Sequence, residues 1–322
     1  MNARSELVER VASRRRAELG TLSDAAYQEL LEAVRNDVEH FIDTPEEEAF
    51  LLVTKAVERE SASRHGEDLL DDDAFFESRS RRMARLVRDC DEALGTDPHC
   101  LDARLLHVLA QDHDPDQTLG PLLELEQAAI ARLGSSPMPA DAWADVQLRP
   151  LLRVKAAVSR SSFDSARYRL AAEKGEEAIA LSPSDALGAR HTCTLAYARL
   201  EDEVAFDALD VRFSRQGSAW SHLGRAILLY KLGRMTAARR AISGFTHLVE
   251  GGAYALIKPI MIDTYLPDRP EAAPLSFAEA TLAVHEADPV ICDVPDFVGW
   301  AQGIRDVWFS AQDFATRNGF DW

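Results

Sequence analysis

"GSAWSHLGRAILLYKLGRMTAARRAI", from Gly217 to Ile242, is the stretch of this 322-residue chain that decides the fold. A Trp, a Leu-Gly pair and a YKLGR segment are followed directly by a run rich in Ala and Arg. Outward from this stretch, apolar residues recur every three or four positions along almost the whole chain, and the alternation typical of strands is almost absent. This periodicity predicts an all-α protein.

A pattern of small residues recurs on the N-terminal side of this stretch. In the segment 86–98, Leu, Cys, Ala and Pro are separated by four, three and five residues, and the segment 171–183 repeats the spacing with Ala, Gly, Ala and Pro. One small residue per helical turn lets a neighbouring helix approach closely. Each proline predicts a helix end, because proline cannot continue a helix and disfavours the helical conformation in the residue before it. New helices are expected after Pro98 and Pro183, and a weaker copy of the pattern ends at Pro289.

These residues resemble the tetratricopeptide repeat family, whose unit reads W-x2-L-G-x2-Y, then A-x3-F, then P over two antiparallel helices. The residues that match are Trp220, Leu223, Gly224, Ala241 and Phe245. Ile227 stands where the family usually has Tyr, and Gly251-Gly252 stands where the family would use Pro. The resemblance implies a first helix over Trp220–Leu232, a turn at Gly233-Arg234 and a second helix that ends at about Glu250.

The resemblance covers roughly residues 75–255 and implies a right-handed stack of antiparallel helical hairpins, a tetratricopeptide-like α-solenoid. We expect extra N-terminal helices over residues 1–74, where Ser23 and Thr44 occupy positions typical of helix N-caps. We expect Pro-rich loops and a helical C-terminal cap over residues 256–322. There, one helix is predicted at about 277–287 and a last one at 296–317, with its aromatic residues on one side.

The charge of the chain restricts its partners. The net charge is −18, residues 21–75 carry sixteen acids against four bases, and residues 271–322 carry nine acids against two bases. Such a field repels nucleic acid and anionic membranes, so neither is expected as a partner, and a basic protein or peptide is favoured. The most apolar stretch, 253–262, is short and is interrupted by Lys258 and Pro259. Four scattered cysteines and no apolar segment in residues 1–20 predict a cytoplasmic location.

No sequence motif predicts a catalytic site, a cofactor or a metal. The segment from Asp112 through Asp114 to Asp116 begins like a calcium loop, but Gln117 and Leu123 occupy the positions where such a loop needs Gly and Glu. The simpler interpretation is a turn between a helix that ends near Ala110 and one that begins near Thr118. Whether this turn binds a cation is left open.

Recognition of a partner is therefore the leading functional hypothesis. In the family that the chain resembles, the first helix of each unit lines a concave groove that holds a peptide or a partner helix. The matching positions are Arg190, Tyr197, Ser221, His222 and Arg225. The alternative for the two arginines is that they lie on a solvated face.

We expect a non-enzymatic scaffold or adaptor without a cofactor. Two alternatives remain. One is an enzyme or metal-dependent regulator whose site is built from residues distant in sequence. The other is a homo-oligomeric structural protein that associates through its N-terminal helices or the Trp300/Trp308 face.

Overall fold

The computed structural model describes residues 2–67, 70–134, 138–260, 262–263 and 266–322. Over these residues the regular structure is helical and contains no strand, which confirms the predicted all-α class. The described α-helices are α1 (Ala3–Leu19), α2 (Asp24–Asn36), α3 (Pro45–Ser63), α4 (Asp72–Thr96), α5 (Leu101–Ala110), α6 (Pro115–Leu133), α7 (Arg149–Asp164), α8 (Tyr168–Leu181), α9 (Ala189–Leu200), α10 (Glu203–Arg212), α11 (Ala219–Lys231), α12 (Met235–Leu248), α13 (Gly252–Ile257), α14 (Phe277–Cys292), α15 (Asp296–Gln302) and α16 (Arg305–Asn318).

The contacts divide the chain into two compact units. Unit 1 consists of residues 1–158, 181–186 and 266–268, and unit 2 of residues 159–180, 187–265 and 269–322. The boundaries that the sequence suggested, after residues 74 and 255, fall inside α4 and α13.

Unit 1 has an apolar core built largely from α1, α3, α4 and α5, with Leu7 and Phe50 fully buried at its centre. Thr44 caps α3, because its Oγ1 accepts a hydrogen bond from the amide of Glu47 at 3.2 Å, as the sequence predicted. α2, which Ser23 caps as predicted, ends at Asn36, and a separate 3₁₀ turn covers Val38–Phe41. The break at Asp37, where φ is −150°, allows Val38 to enter the core.

A buried charge network crosses the core of unit 1. The carboxylate of Asp102 accepts a hydrogen bond from Arg10 at 2.6 Å and another from Arg153 at 2.8 Å, and both arginines also bind Glu6. Burial raises the pKa of Asp102, but the two guanidinium groups lower it more, so the net pKa lies below its ordinary value. The network joins residues of α1, α5 and α7 that are far apart in sequence.

Unit 2 contains the hairpin that the opening stretch predicts. α11 and α12 are antiparallel neighbours joined by Gly233, whose φ of +70° suits a residue without a side chain. Trp220, Leu223 and Phe245, three of the residues that match the repeat pattern, are buried in the core of this unit. The predicted hairpin is confirmed. α11 also packs against α9 and α14, and α12 packs against α16.

Two predictions for the C-terminal region are wrong. α14 does not stop before Pro289 but continues to Cys292, because Ala287 and Val290 on either side of the proline are buried in the core. The missing N–H costs a hydrogen bond, and the packing outweighs it. The predicted last helix is in fact two helices, α15 and α16, separated at Gly303-Ile304. The break separates its aromatic residues, so that Phe297 is buried whereas Trp308 and Phe309 are exposed.

The turn with alternating aspartates lies between α5 and α6. α6 begins at Pro115, three residues earlier than predicted, and Asp114 takes the N-cap position without a side-chain cap bond. Asp112 Oδ1 accepts a hydrogen bond from Arg79 at 2.7 Å. Within the part of the chain that the structure describes, no group of three or more His, Cys, Asp or Glu side chains is arranged to hold a metal ion.

None of the helices in the described ranges is long and apolar enough to cross a membrane. Of the apolar stretch 253–262, α13 takes up the first part, and Met261 lies outside the described residues.

Candidate partner-binding cleft

A cleft in unit 2 lies between α9, α10 and α11. It is shallow, with a cavity volume of about 20 Å³, and it opens to solvent. The lining residues come from all three helices and from the loop 213–218, and they are Arg190, His191, Thr194, Phe206, Leu209, Asp210, Phe213, Gln216, Ser218 and Ser221. The cleft therefore combines an apolar wall from α10 with polar groups from α9 and α11.

The helix ends that border the cleft have clear local causes. α10 begins at an Asp202 cap, whose carboxylate accepts a hydrogen bond from Ala205 N at 2.9 Å. α11 begins with a capping box, in which Ser218 and Ser221 each accept a hydrogen bond from the other's amide. α9 begins after Gly188, whose φ is +68°.

The loop between α10 and α11 is strained. Ser214 and Arg215 have φ values of +56° and +54° although neither is glycine. The amide of Arg215 donates to the carbonyl of Asp210 at 2.8 Å, and the amide of Ser214 donates to that of Val211 at 2.9 Å, which is a Schellman closure of α10. Glycine is the usual residue for the left-handed position, and a side chain there costs about 1–2 kcal/mol per residue. The strain is stored at the mouth of the cleft, where such features often accompany function.

His191 forms part of the floor of the cleft. Its ring stacks on Trp220 with centroids 3.9 Å apart, and only 8% of the residue is exposed. Within the described residues its ring nitrogens make no hydrogen bond. Burial lowers the pKa of His191 well below its ordinary value, and the charges of Arg269 and Arg190 lower it further. The imidazole is therefore neutral at pH 7, with one nitrogen able to donate and the other able to accept.

A buried carboxylate holds this floor in place. Glu286 is fully buried and accepts hydrogen bonds from Trp220 Nε1 at 2.7 Å and from Arg269 Nε at 2.8 Å. Arg269 also donates to the carbonyl of Gly188 at 2.6 Å, immediately before α9. Trp220, and with it the stacked imidazole of His191, is thus fixed by a charge-assisted network rather than by packing alone.

Two of the five predicted contact residues line the cleft. Arg190 lies with its guanidinium carbon 4.9 Å from the ring centroid of Phe213, so its charge is presented beside an aromatic wall. Ser221 also lines the cleft, but its hydroxyl accepts from Ser218 N at 2.8 Å and donates to Ser218 O at 3.0 Å. The hydroxyl of Ser221 is therefore engaged in the helix cap.

The other three predicted residues lie around the cleft rather than in its lining. Arg225 binds Asp207 at 2.5 Å and lies 3.6 Å from Asp210, which lines the cleft. Its guanidinium also covers the ring of Phe206, 4.3 Å from the centroid.

Tyr197 and His222 contact residues that do not line the cleft. The hydroxyl of Tyr197 donates to Glu176 at 3.1 Å, and burial raises the pKa of this phenol above its ordinary value. The ring of His222 lies against Gly217. Burial lowers the pKa of His222.

Sequence reasoning missed the most distinctive group of the cleft. His191 appears in the sequence as one histidine within a helix, and such a residue is more often packed than functional. Its proximity to α10 and to the strained loop depends on contacts between helices. No residue pattern signals it.

Comparison of the chain with models of protein families, with curated proteins and with solved structures finds no match.

Proposed function

We propose that this protein is a non-enzymatic adaptor that binds a segment of a partner protein in the cleft between α9, α10 and α11. The observation that carries the proposal is the nine-tenths-buried imidazole of His191, which has no hydrogen-bond partner within the described residues and lines an open cleft beside Arg190. A ring nitrogen that reaches the open cleft and has no partner among the described residues is available to a hydrogen-bonding group of a ligand.

The chemistry of the lining suggests what the segment presents. Phe206, Leu209 and Phe213 offer an apolar wall for one side chain, and His191 offers a neutral donor and acceptor for a backbone amide or carbonyl. Arg190 adds a fork of N–H donors at the rim. Because the cleft is shallow and open, it suits a protruding segment of a protein better than an enclosed small molecule. The net charge of −18 favours a partner that is basic overall.

The same proposal extends to the arrangement of the helices. We interpret α9, α11 and α14 as successive first helices of a right-handed, tetratricopeptide-like stack, with α10 and α12 as second helices. The packing of α11 against α9, α12 and α14 supports this interpretation, as do the buried residues of the repeat pattern. First helices line the concave face in such stacks, and α9 and α11 contribute Arg190, His191 and Ser221 to the cleft, whereas its apolar wall comes from the second helix α10. A cytoplasmic location is part of the proposal, in line with four cysteines that are all free thiols.

Photo-crosslinking from the cleft tests the proposal. Gln216 is exposed and lines the cleft, so Gln216→p-benzoylphenylalanine places the reactive group at its mouth. The matched control is the same replacement at Arg240, which is exposed on α12. In a lysate of the source organism, we expect a specific adduct from position 216 that is absent from position 240. Arg190→Glu in the same background is expected to suppress the adduct. Identical adducts from both positions, or none, would reject the cleft as the binding site.

A further inference from the structure

Unit 1 contains a second cleft, between α3 and α4, and four arginines line it. Its cavity volume is about 210 Å³, and the cleft opens to solvent. The arginines are Arg59, Arg81, Arg82 and Arg85, and the acids that share the lining are Glu60 and Asp89. A surplus of positive charge in one cleft stands out in a chain whose net charge is −18.

Both acids of the cleft are already engaged. Arg82 is buried, lies 3.3 Å from Glu60 and also binds Glu67. Arg59 Nη2 lies 3.0 Å from Asp89 Oδ2. These pairs balance two of the four guanidinium charges and leave the remaining two without a carboxylate of the cleft.

Arg81 and Arg85 are the remaining two, and they lie one turn apart on α4. Arg81 has a single contact with a carboxylate in the described structure, Glu77 at 3.9 Å, and about seven-tenths of each side chain is exposed. Arg85 is exposed and forms neither an ion pair nor a hydrogen bond with any described residue. Like charges four residues apart destabilise a helix. An anion bound between the two guanidinium groups would reduce this repulsion.

We propose that the α3–α4 cleft binds a phosphate monoester dianion through Arg81 and Arg85. A dianion balances the two uncompensated charges, which a single carboxylate cannot do. The planar fork of each guanidinium donates two parallel hydrogen bonds to a phosphoryl group, whose several oxygens can serve two forks at once. Arg82 is buried and is held by Glu60 and Glu67, so the two exposed arginines supply the positive charge of the site. This proposal is independent of the partner-binding cleft.

Isothermal titration calorimetry of the full chain tests the site with three phosphate probes and one comparison. The probes are inorganic phosphate, phenyl phosphate and a short phosphoserine peptide, and benzoate is the monoanionic comparison. We expect saturable binding of at least one phosphate probe in the millimolar range or tighter, and weaker binding of benzoate. The probe that binds most tightly identifies the source as a free anion, a small organic phosphate or a phosphorylated protein segment.

Three variants make the result specific. Arg81→Gln combined with Arg85→Gln should weaken phosphate binding by roughly tenfold or more, with a tenfold change corresponding to about 1.4 kcal/mol. Arg81→Lys combined with Arg85→Lys keeps both positive charges but loses the planar guanidinium groups. Its affinity for phosphate should therefore lie between that of the wild type and that of the double Gln variant. Arg88→Gln removes one positive charge from an exposed position on the same helix but outside the lining, and it is the control for a nonspecific effect of charge.

All three arginines are exposed, so their replacement should leave the urea midpoint of unfolding unchanged. A loss of phosphate binding in a variant can then be distinguished from a loss of folded protein. The proposal is overturned if no phosphate probe binds saturably, if benzoate binds as tightly as phenyl phosphate, or if Arg88→Gln weakens binding as much as the double Gln variant. Selective loss in the double Gln variant supports it.

Discussion

Replacement of Glu286 by Gln should destabilise unit 2 and loosen the floor of the candidate partner-binding cleft. Glu286 is fully buried and accepts hydrogen bonds from Trp220 at 2.7 Å and from Arg269 at 2.8 and 3.1 Å. Gln has nearly the same shape but keeps only one acceptor oxygen, so its amide N–H₂ must face one of these donors. It also removes the negative charge that faces the partly buried guanidinium of Arg269.

The magnitude follows from the environment of the pair. Removing one partner of a buried ion pair costs about 3–5 kcal/mol. Because Gln with its oxygen in the Oε2 position retains two of the three hydrogen bonds, we expect a loss near the lower end, about 3 kcal/mol in the free energy of unfolding of unit 2. At about 1.4 kcal/mol per factor of ten, the unfolding equilibrium constant should rise by about two orders of magnitude.

Urea unfolding, followed by tryptophan fluorescence and far-UV circular dichroism, measures this loss. Glu250→Gln, on an exposed residue, is the matched control for the same chemical change. Hydrogen exchange of the peptide 219–232 localises the effect to α11. If Glu286→Gln lies within about 1 kcal/mol of the control, a buried ion pair does not hold the cleft floor and the argument fails.

Three further predictions concern single residues of unit 2. The folded-state pKa of His191 lies below its unfolded-state value of about 6.5, so its contribution to stability is complete above that pH and is lost as the pH falls. The pH slope of the unfolding free energy should therefore flatten below pH 6.5 in His191→Phe, and an unchanged slope would contradict the assignment. Gly175→Ala should destabilise by about 1–3 kcal/mol, because its new Cβ would collide with the Sγ of Cys193, whereas Gly244→Ala, with open space around it, should be neutral or stabilising. A maleimide should label only Cys292 in the native protein, since the other three thiols are buried, and mass spectrometry that found a second labelled cysteine would refute this.

The sequence predicted those parts of the fold that depend on local signals. The α11–α12 hairpin is specified by apolar spacing and by Gly233 at a left-handed turn, and Thr44 caps α3 as its position suggested. The predictions failed where packing overrides a local rule. Pro289 continues a helix because Ala287 and Val290 are buried on either side of it.

The candidate site was only partly predictable. The repeat pattern pointed to α9 and α11, and these helices place Arg190 and Ser221 in the lining of the cleft. His191 was missed because its importance comes from α10 and from a Schellman turn in which Ser214 takes the place of the usual glycine. The α3–α4 cleft was missed as well, since it depends on the pairing of Arg82 on α4 with Glu60 and Glu67, which other segments of the chain contribute.

The most direct test of the account is the affinity of the crosslinked partner segment for purified variants. Fluorescence anisotropy with a labelled peptide of that segment would compare the wild type, Arg190→Glu and Arg240→Glu, which reverse one charge inside and outside the cleft. The account predicts that Arg190→Glu weakens the Kd by about tenfold or more, as expected for an interface arginine, and that Arg240→Glu leaves it unchanged. Equal affinities for all three proteins, or equal losses in both variants, would contradict a specific role for this cleft.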